Sequence, residues 1–370
     1  MTLQKVIQDY IDFLHKPITN SQDLKQDQTA FQEPEIKQLL RYAVDNRDSL
    51  DEILTSIAMV MPLDLDMYKK GLTCLICGSL IEFGGNPKIV VDHIIQQLEN
   101  HLTATESFLS LAEQEEWEGG TLSPKELDFF FSYDSDALKA SITSSYVVLA
   151  TMTSVCRLKE ARQSIRTNTP LIHQVIQLED EVDNLYYLKQ VLYSVDDYEM
   201  IILHPQSETG LKIKADMIQN NFHFFTLLQD LYLTQFATHP AFATFHRNEK
   251  AIHLAKGGAL SDTEEQIHDH ALFGFYDFHA LNGEGKIPSA VMPANWLFGE
   301  GTLHHIPKLN GVPVVILGEN TLGDRSWDIT FCTPVHEALK PSLEAVEVLS
   351  SEQVKQYITT IQLQNRLVDI

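Results

Sequence analysis

Nine of the fifteen histidines in this chain lie between His239 and His336. Imidazole is the commonest metal-binding side chain and the one that titrates near neutrality, so such a cluster suggests metal-assisted hydrolysis or proton transfer. The densest stretch, QIHDHALFGFYDFHALNG at 266–283, sets His268, His270, Asp277 and His279 among large apolar residues. With His336, these residues would supply ligands to Zn²⁺, Mn²⁺ or Fe, and Glu337 would act as general base in a metal-dependent hydrolase.

Whether these side chains can meet depends on the backbone. Ser261 and Glu264 in SDTE form a capping box, which predicts a helix from Asp262. On a continuing helix His268 and His270 point about 200° apart and cannot share an ion. His270 and Asp277, two turns apart, would then face the same way. If the chain becomes a strand near Leu272, FGFYDFHAL is the first arm of a hairpin turning at Asn282–Gly283, and Asp277 and His279 share a face. The aromatic content favours the strand. The spacing matches neither a cupin site nor the His-x-His-x-Asp-His run of metallo-β-lactamases. The preferred reading is therefore a helix end running into an aromatic core strand, with no cofactor.

A second set of residues suits recognition better than catalysis. In ANWLFGEG, at 294–301, Trp296 and Phe298 sit between proline and glycine signals. In GENTLGDRSWD, Asp324, Arg325 and Trp327 follow a predicted strand in a segment that reads as a connecting loop and lacks phosphate-loop glycine spacing. Arginine and tryptophan are favoured at recognition sites. Cys74 and Cys77 form a CxxC inside an apolar helix with no second pair, so they read as core. Cys332, four residues before His336, reads as a buried strand residue.

The elements that must position these residues change character along the chain. Leu39, Leu40, Ala43, Leu50, Ile53, Leu54 and Ile57 recur at helical spacing over 35–60, and a second apolar helix spans 65–83. Gly84–Gly85 ends it, and Asn86–Pro87 starts the next. This helical hairpin resembles the helix pairs of α-solenoids such as HEAT repeats, although no fixed period follows it. Residues 117–136 read as a loop, 137–166 as helix, and 172–192 as one long amphipathic helix. Near residue 196 a two-residue period takes over: EMIILHP and LKIKADMI read as paired strands, followed by a helix at 222–236. Strands are predicted at PVVILG, WDITFC and EAVEVL, and a last helix opens at Ser350 or Ser351. The predicted organisation is an all-helical, weakly solenoid-like domain over 1–195, then a mixed α/β domain over 196–370 with a mainly antiparallel sheet.

Composition narrows the partners. A formal charge of -24 repels phosphate backbones, which argues against nucleic acid and favours a basic protein partner. The most apolar stretch, at 142–156, falls short of the roughly 20 residues a bilayer requires and carries several hydroxyls, so no membrane partner is expected. Few cysteines and no secretory pattern at the start predict a cytoplasmic protein. The sequence reading is thus a non-catalytic acidic interaction protein of adaptor, accessory or immunity type, with the metal-dependent hydrolase as its alternative.

Overall fold

The computed structural model describes residues 2–26, 28–63, 65–117, 119–259, 266–281, 296–320, 323–331 and 333–368. The chain divides into two units, Met1–Leu192 and Tyr193–Ile370. In the first, helices α1 (Leu3–Leu14), α2 (Pro34–Asp45), α3 (Leu50–Val60), α4 (Met67–Glu82) and α5 (Val91–Gln114) precede α6 (Pro124–Tyr133) and α7 (Ser135–Arg157). Shorter helices α8 (Lys159–Thr167), α9 (Thr169–Gln177) and α10 (Leu185–Tyr193) complete it. Small residues set its packing. A β-carbon at Gly71 on α4 would overlap the Thr143 side chain on α7, and one at Gly78 would lie 3.1 Å from the Ala150 backbone. Equal spacing on both helices means that α4 and α7 run parallel with their backbones nearly touching. Cys74 and Cys77 are fully buried on α4, and burial pushes the Cys77 thiol up to about 12.

Several helix boundaries differ from the sequence reading. The 35–60 stretch is two helices, because Asn46 to Ser49 form a tight turn between α2 and α3. The segment read as a loop at 117–136 contains α6, which Ser123, Pro124 and Glu126 start with a complete capping box. The predicted long helix at 172–192 breaks between α9 and α10, where Asn184 takes a left-handed φ of 69°. Acidic residues crowd that break, and Asp and Asn favour turns over helix interiors.

The second unit is built on a sheet. Strands β1 (Tyr198–His204) and β2 (Thr209–Asp216) are followed by α11 (Asn221–Gln235), α12 (Glu249–Ala255), β3 (Gln266–His270) and β4 (Gly274–Asp277). Then come β5 (Lys308–Leu309), β6 (Val312–Gly318), β7 (Asp324–Asp328), β8 (Ser342–Leu349) and α13 (Ser351–Val368). The main sheet runs β4-β6-β1-β2-β8, with β5 also on β6, while β3 and β7 pair as a separate antiparallel ribbon. β1 and β6 are parallel, and the other pairs are antiparallel. α11 is buried nearly all round, so one core holds Phe224, Leu228 and Tyr232 together with Ile202, Ile213 and Val315 from the sheet. No helix among the described residues is long and apolar enough to cross a membrane.

Candidate functional site

Three segments far apart in sequence build the site. The first is the start of α11. A helix leaves its first amides without intrahelical partners, and here the loop 296–301 accepts from them. Asn221 N–H donates to Gly301 O at 2.8 Å, and Phe222 N–H to Gly299 O at 3.0 Å. The Asn221 side chain also donates to Phe298 O at 2.8 Å. Gly299 is required there, because any β-carbon would overlap the Phe222 ring. The same loop joins the sheet at its other end: Leu297 N–H donates to Phe275 O at 3.1 Å, and Trp296 bridges to Tyr276.

The third segment is the β3–β7 ribbon. Its alternation is eBeBe over QIHDH: His268 and His270 face solvent, while Ile267 and Asp269 turn inward. Across it, Arg325 opposes Asp269 in register. Arg325 Nη2 donates to Asp269 Oδ2 at 2.9 Å, and Gln229 Nε2 donates to the same oxygen at 2.8 Å. The guanidinium lies 5.3 Å from the Phe275 ring centroid, 5.5 Å from Trp327 and 5.7 Å from Phe225. Burial draws the Arg325 guanidinium below its usual range, against the opposing pull of Asp269. Its Nε and Nη1 are buried and have no acceptor among the described residues.

These segments enclose a pocket of about 260 Å³. Phe222, Phe225, Phe273, Phe275 and Tyr276 form its walls, Trp296 to Glu300 its mouth, and Arg325 lies within it. Phe298 stands 56% exposed at the rim. Trp327 supports the floor from behind, stacked on Phe222 with centroids 5.4 Å apart and planes 10° from parallel. Of the residues named for recognition, Trp296, Phe298 and Arg325 line this pocket and Trp327 packs against it. Asp324 does not line it; it pairs with His270 outside.

The histidines named as metal ligands scatter. His268 and His270 are on the exposed face of a strand, which replaces the predicted continuation of a helix. Asp277 ends β4, and His279 lies in the short helical turn Phe278–Ala280, with its ring tilted against Phe278. β4 pairs with β6 on one edge, and the turn of the predicted hairpin lies outside the described residues. Asp324 and Arg325 belong to strand β7, not to a loop, and the strand predicted over WDITFC already gives way at Ile329. His336 accepts from the Ala338 amide at 3.0 Å, and Glu337 is exposed. Among the described residues no three His, Cys, Asp or Glu groups come together in a way that could hold a metal ion. The SDTE capping box, Asn282–Gly283 and Cys332 lie outside the described residues.

His270 does have a partner. Its Nδ1 lies 2.7 Å from Asp324 Oδ1, with both side chains in solvent. The carboxylate holds the imidazole above its ordinary value. A folded-state value that is raised means the pair stabilises the ribbon at low pH and ceases to do so as pH rises through it. An NMR titration is expected to give His270 a pKa above the ordinary imidazole value, and Asp324→Asn to lower it. An unchanged His270 titration in that variant would remove the pair from solution.

A second, wider pocket of about 580 Å³ opens at the carboxyl ends of the parallel strands β1 and β6, where α/β sheets commonly place sites. His204 Nδ1 there lies 2.6 Å from Ser207 Oγ, a spacing that suits an activated serine. Burial, however, drops His204 to about 4, which makes it a weak base at neutral pH. The same nitrogen accepts from the Ser207 amide and caps the turn Pro205–Ser207. The pair is a cap.

Sequence reading missed Asp269, Gln229 and the phenylalanine walls. One signal was present: Ile267, Asp269 and Ala271 alternate with the histidines, which marks the aspartate as inward-facing. No family model, curated protein or solved structure matches the chain.

Proposed function

We propose that the chain is a non-catalytic, acidic interaction protein whose second unit captures an apolar side chain of a basic protein partner in the aromatic pocket. The observation that carries this reading is the meeting of Trp296, Phe298 and Arg325, three residue types enriched at protein interfaces, around one preformed pocket. The charge of -24 supports a basic partner, whose approach it would accelerate in a salt-dependent way. Metal-dependent hydrolysis has less behind it, since no three of its five candidate ligands come together among the described residues. The rim residue supplies the test. Phe298→Asp places a charge at the mouth of the pocket without touching the core. It is expected to weaken capture of a partner by at least about tenfold while leaving the melting temperature unchanged. A partner held equally by wild-type protein and Phe298→Asp would remove the pocket from the interaction.

A further inference from the structure

We infer that the wider pocket at the carboxyl ends of β1 and β6 binds an uncharged small molecule with an apolar body, held through an oxygen that accepts from the Nε2–H of His204. The inference stands on this second pocket alone and does not depend on the reading of the first as a recognition site. At about 580 Å³ the cavity falls inside the range of about 300–1,000 Å³ usual for small-molecule sites. Phe242, Phe245, Leu272 and Phe273 give it apolar walls.

The cap on the turn Pro205–Ser207 decides what His204 offers the pocket. A backbone amide can only donate, and the Ser207 amide donates to His204 Nδ1 at 3.3 Å. The proton of the neutral ring is therefore on Nε2. That nitrogen makes no hydrogen bond among the described residues, although the residue is only 6% exposed. Nor is it closed off from solvent, so an oxygen in the pocket can reach it. His239 repeats the arrangement on the pocket wall. Its Nδ1 accepts from the Ala241 amide at 3.2 Å, which leaves Nε2 of the neutral ring as a second donor. Both imidazoles pack against Phe242, with centroids 5.5 Å (His204) and 5.2 Å (His239) from its ring.

Three ligand classes fail against this lining. A metal-binding imidazole gives its other N–H to an acceptor, whereas here the other nitrogen of each ring faces a donor. An anion would find no countercharge: no lysine or arginine lines the pocket, Glu319 does, and burial keeps His204 uncharged down to about 4. A pure hydrocarbon would cover the Nε2–H without meeting it and so cost its desolvation. A neutral oxygen on an apolar body satisfies donor and walls together.

The experiment uses the full chain with ¹⁵N-labelled histidine at neutral pH and four probes: acetophenone, ethylbenzene, benzoate and Zn²⁺. Long-range ¹H–¹⁵N spectra report which ring nitrogen holds the proton. His204 is expected as the Nε2–H tautomer, and acetophenone is expected to shift its Nε2 resonance. Acetophenone should bind about tenfold more tightly than ethylbenzene or benzoate, the worth of one good hydrogen bond, and Zn²⁺ should leave His204 unmoved. His204→Phe keeps a ring between Phe242 and Phe273 and removes the donor. Followed at His239, that variant should lose most of the preference for acetophenone over ethylbenzene. The wild-type tautomer and the ranking of the probes decide the matter even if the variant does not fold. An Nδ1–H tautomer at His204, equal or tighter binding of ethylbenzene or benzoate, or a Zn²⁺ shift at His204 overturns the inference. So does acetophenone that moves no His204 resonance at millimolar concentration, or a preference unchanged in His204→Phe.

Discussion

Asp269→Ala is expected to lower the stability of the second unit by about 3–5 kcal/mol, the usual cost of stranding one partner of a buried ion pair. Asp269 is 4% exposed and Arg325 is held among aromatic rings, so water cannot take over when the carboxylate is removed. For a domain of this size the loss corresponds to a fall in melting temperature of roughly 10 °C. Asp269→Asn keeps the shape and one oxygen, so its effect should be smaller. The double variant Asp269→Leu with Arg325→Met should recover much of the lost stability, because an apolar pair of similar volume carries no desolvation penalty. Thermal denaturation followed at the tryptophans of this unit reads all three. A change below about 1 kcal/mol for Asp269→Ala, the range of exposed pairs, would mean that solvent reaches the ion pair.

That pair also shows where sequence reading succeeds and where it stops. Elements with one strong rhythm were legible: Leu211, Ile213 and Ala215 alternate with charged residues and form β2, and Gly84–Gly85 with Asn86–Pro87 marks the turn between α4 and α5. Position along the chain was less informative where local signals compete. The capping residues Ser123 and Glu126 lie inside a glycine-rich stretch, and the glycines hid α6. The site itself was half visible. Of the recognition set that residue type suggests, Trp296, Phe298 and Arg325 line one pocket and Trp327 packs behind it, whereas Asp324 lies outside. Histidine density did not mark this pocket. A strand turns every second residue outward, so in His268-Asp269-His270 the conspicuous imidazoles face solvent and the single carboxylate between them faces the core. The walls could not be read, because Phe222, Phe225 and Phe275 become neighbours of Arg325 only through a fold that brings together residues 50 or more positions apart.

The second large effect is acid instability of the same unit. His223 is fully buried on α11; its Nε2 lies 2.7 Å from the Ala255 carbonyl and so carries the proton, while its Nδ1 has no partner among the described residues. Protonating Nδ1 would bury a charged N–H with nothing to accept from it, and burial draws His223 down to about 4. His204, 6% exposed, is likewise drawn down to about 4. In the unfolded chain both rings regain an ordinary value near 6.5, so between 6.5 and 4 the unfolded state binds more protons than the folded one. Stability then falls with pH through that window, by about 1.4 kcal/mol per pH unit for each ring. The summed loss near the lower end is about 3 kcal/mol for each histidine. The raised His270 does not offset it, because its contribution is already complete once pH is below 6.5. Urea denaturation at a series of pH values measures the slope directly. His223→Gln, although less stable throughout, should lose one proton's worth of slope and so fall off less steeply with acid. An identical slope in wild type and variant would mean that His223 titrates normally and that water reaches the interior of α11.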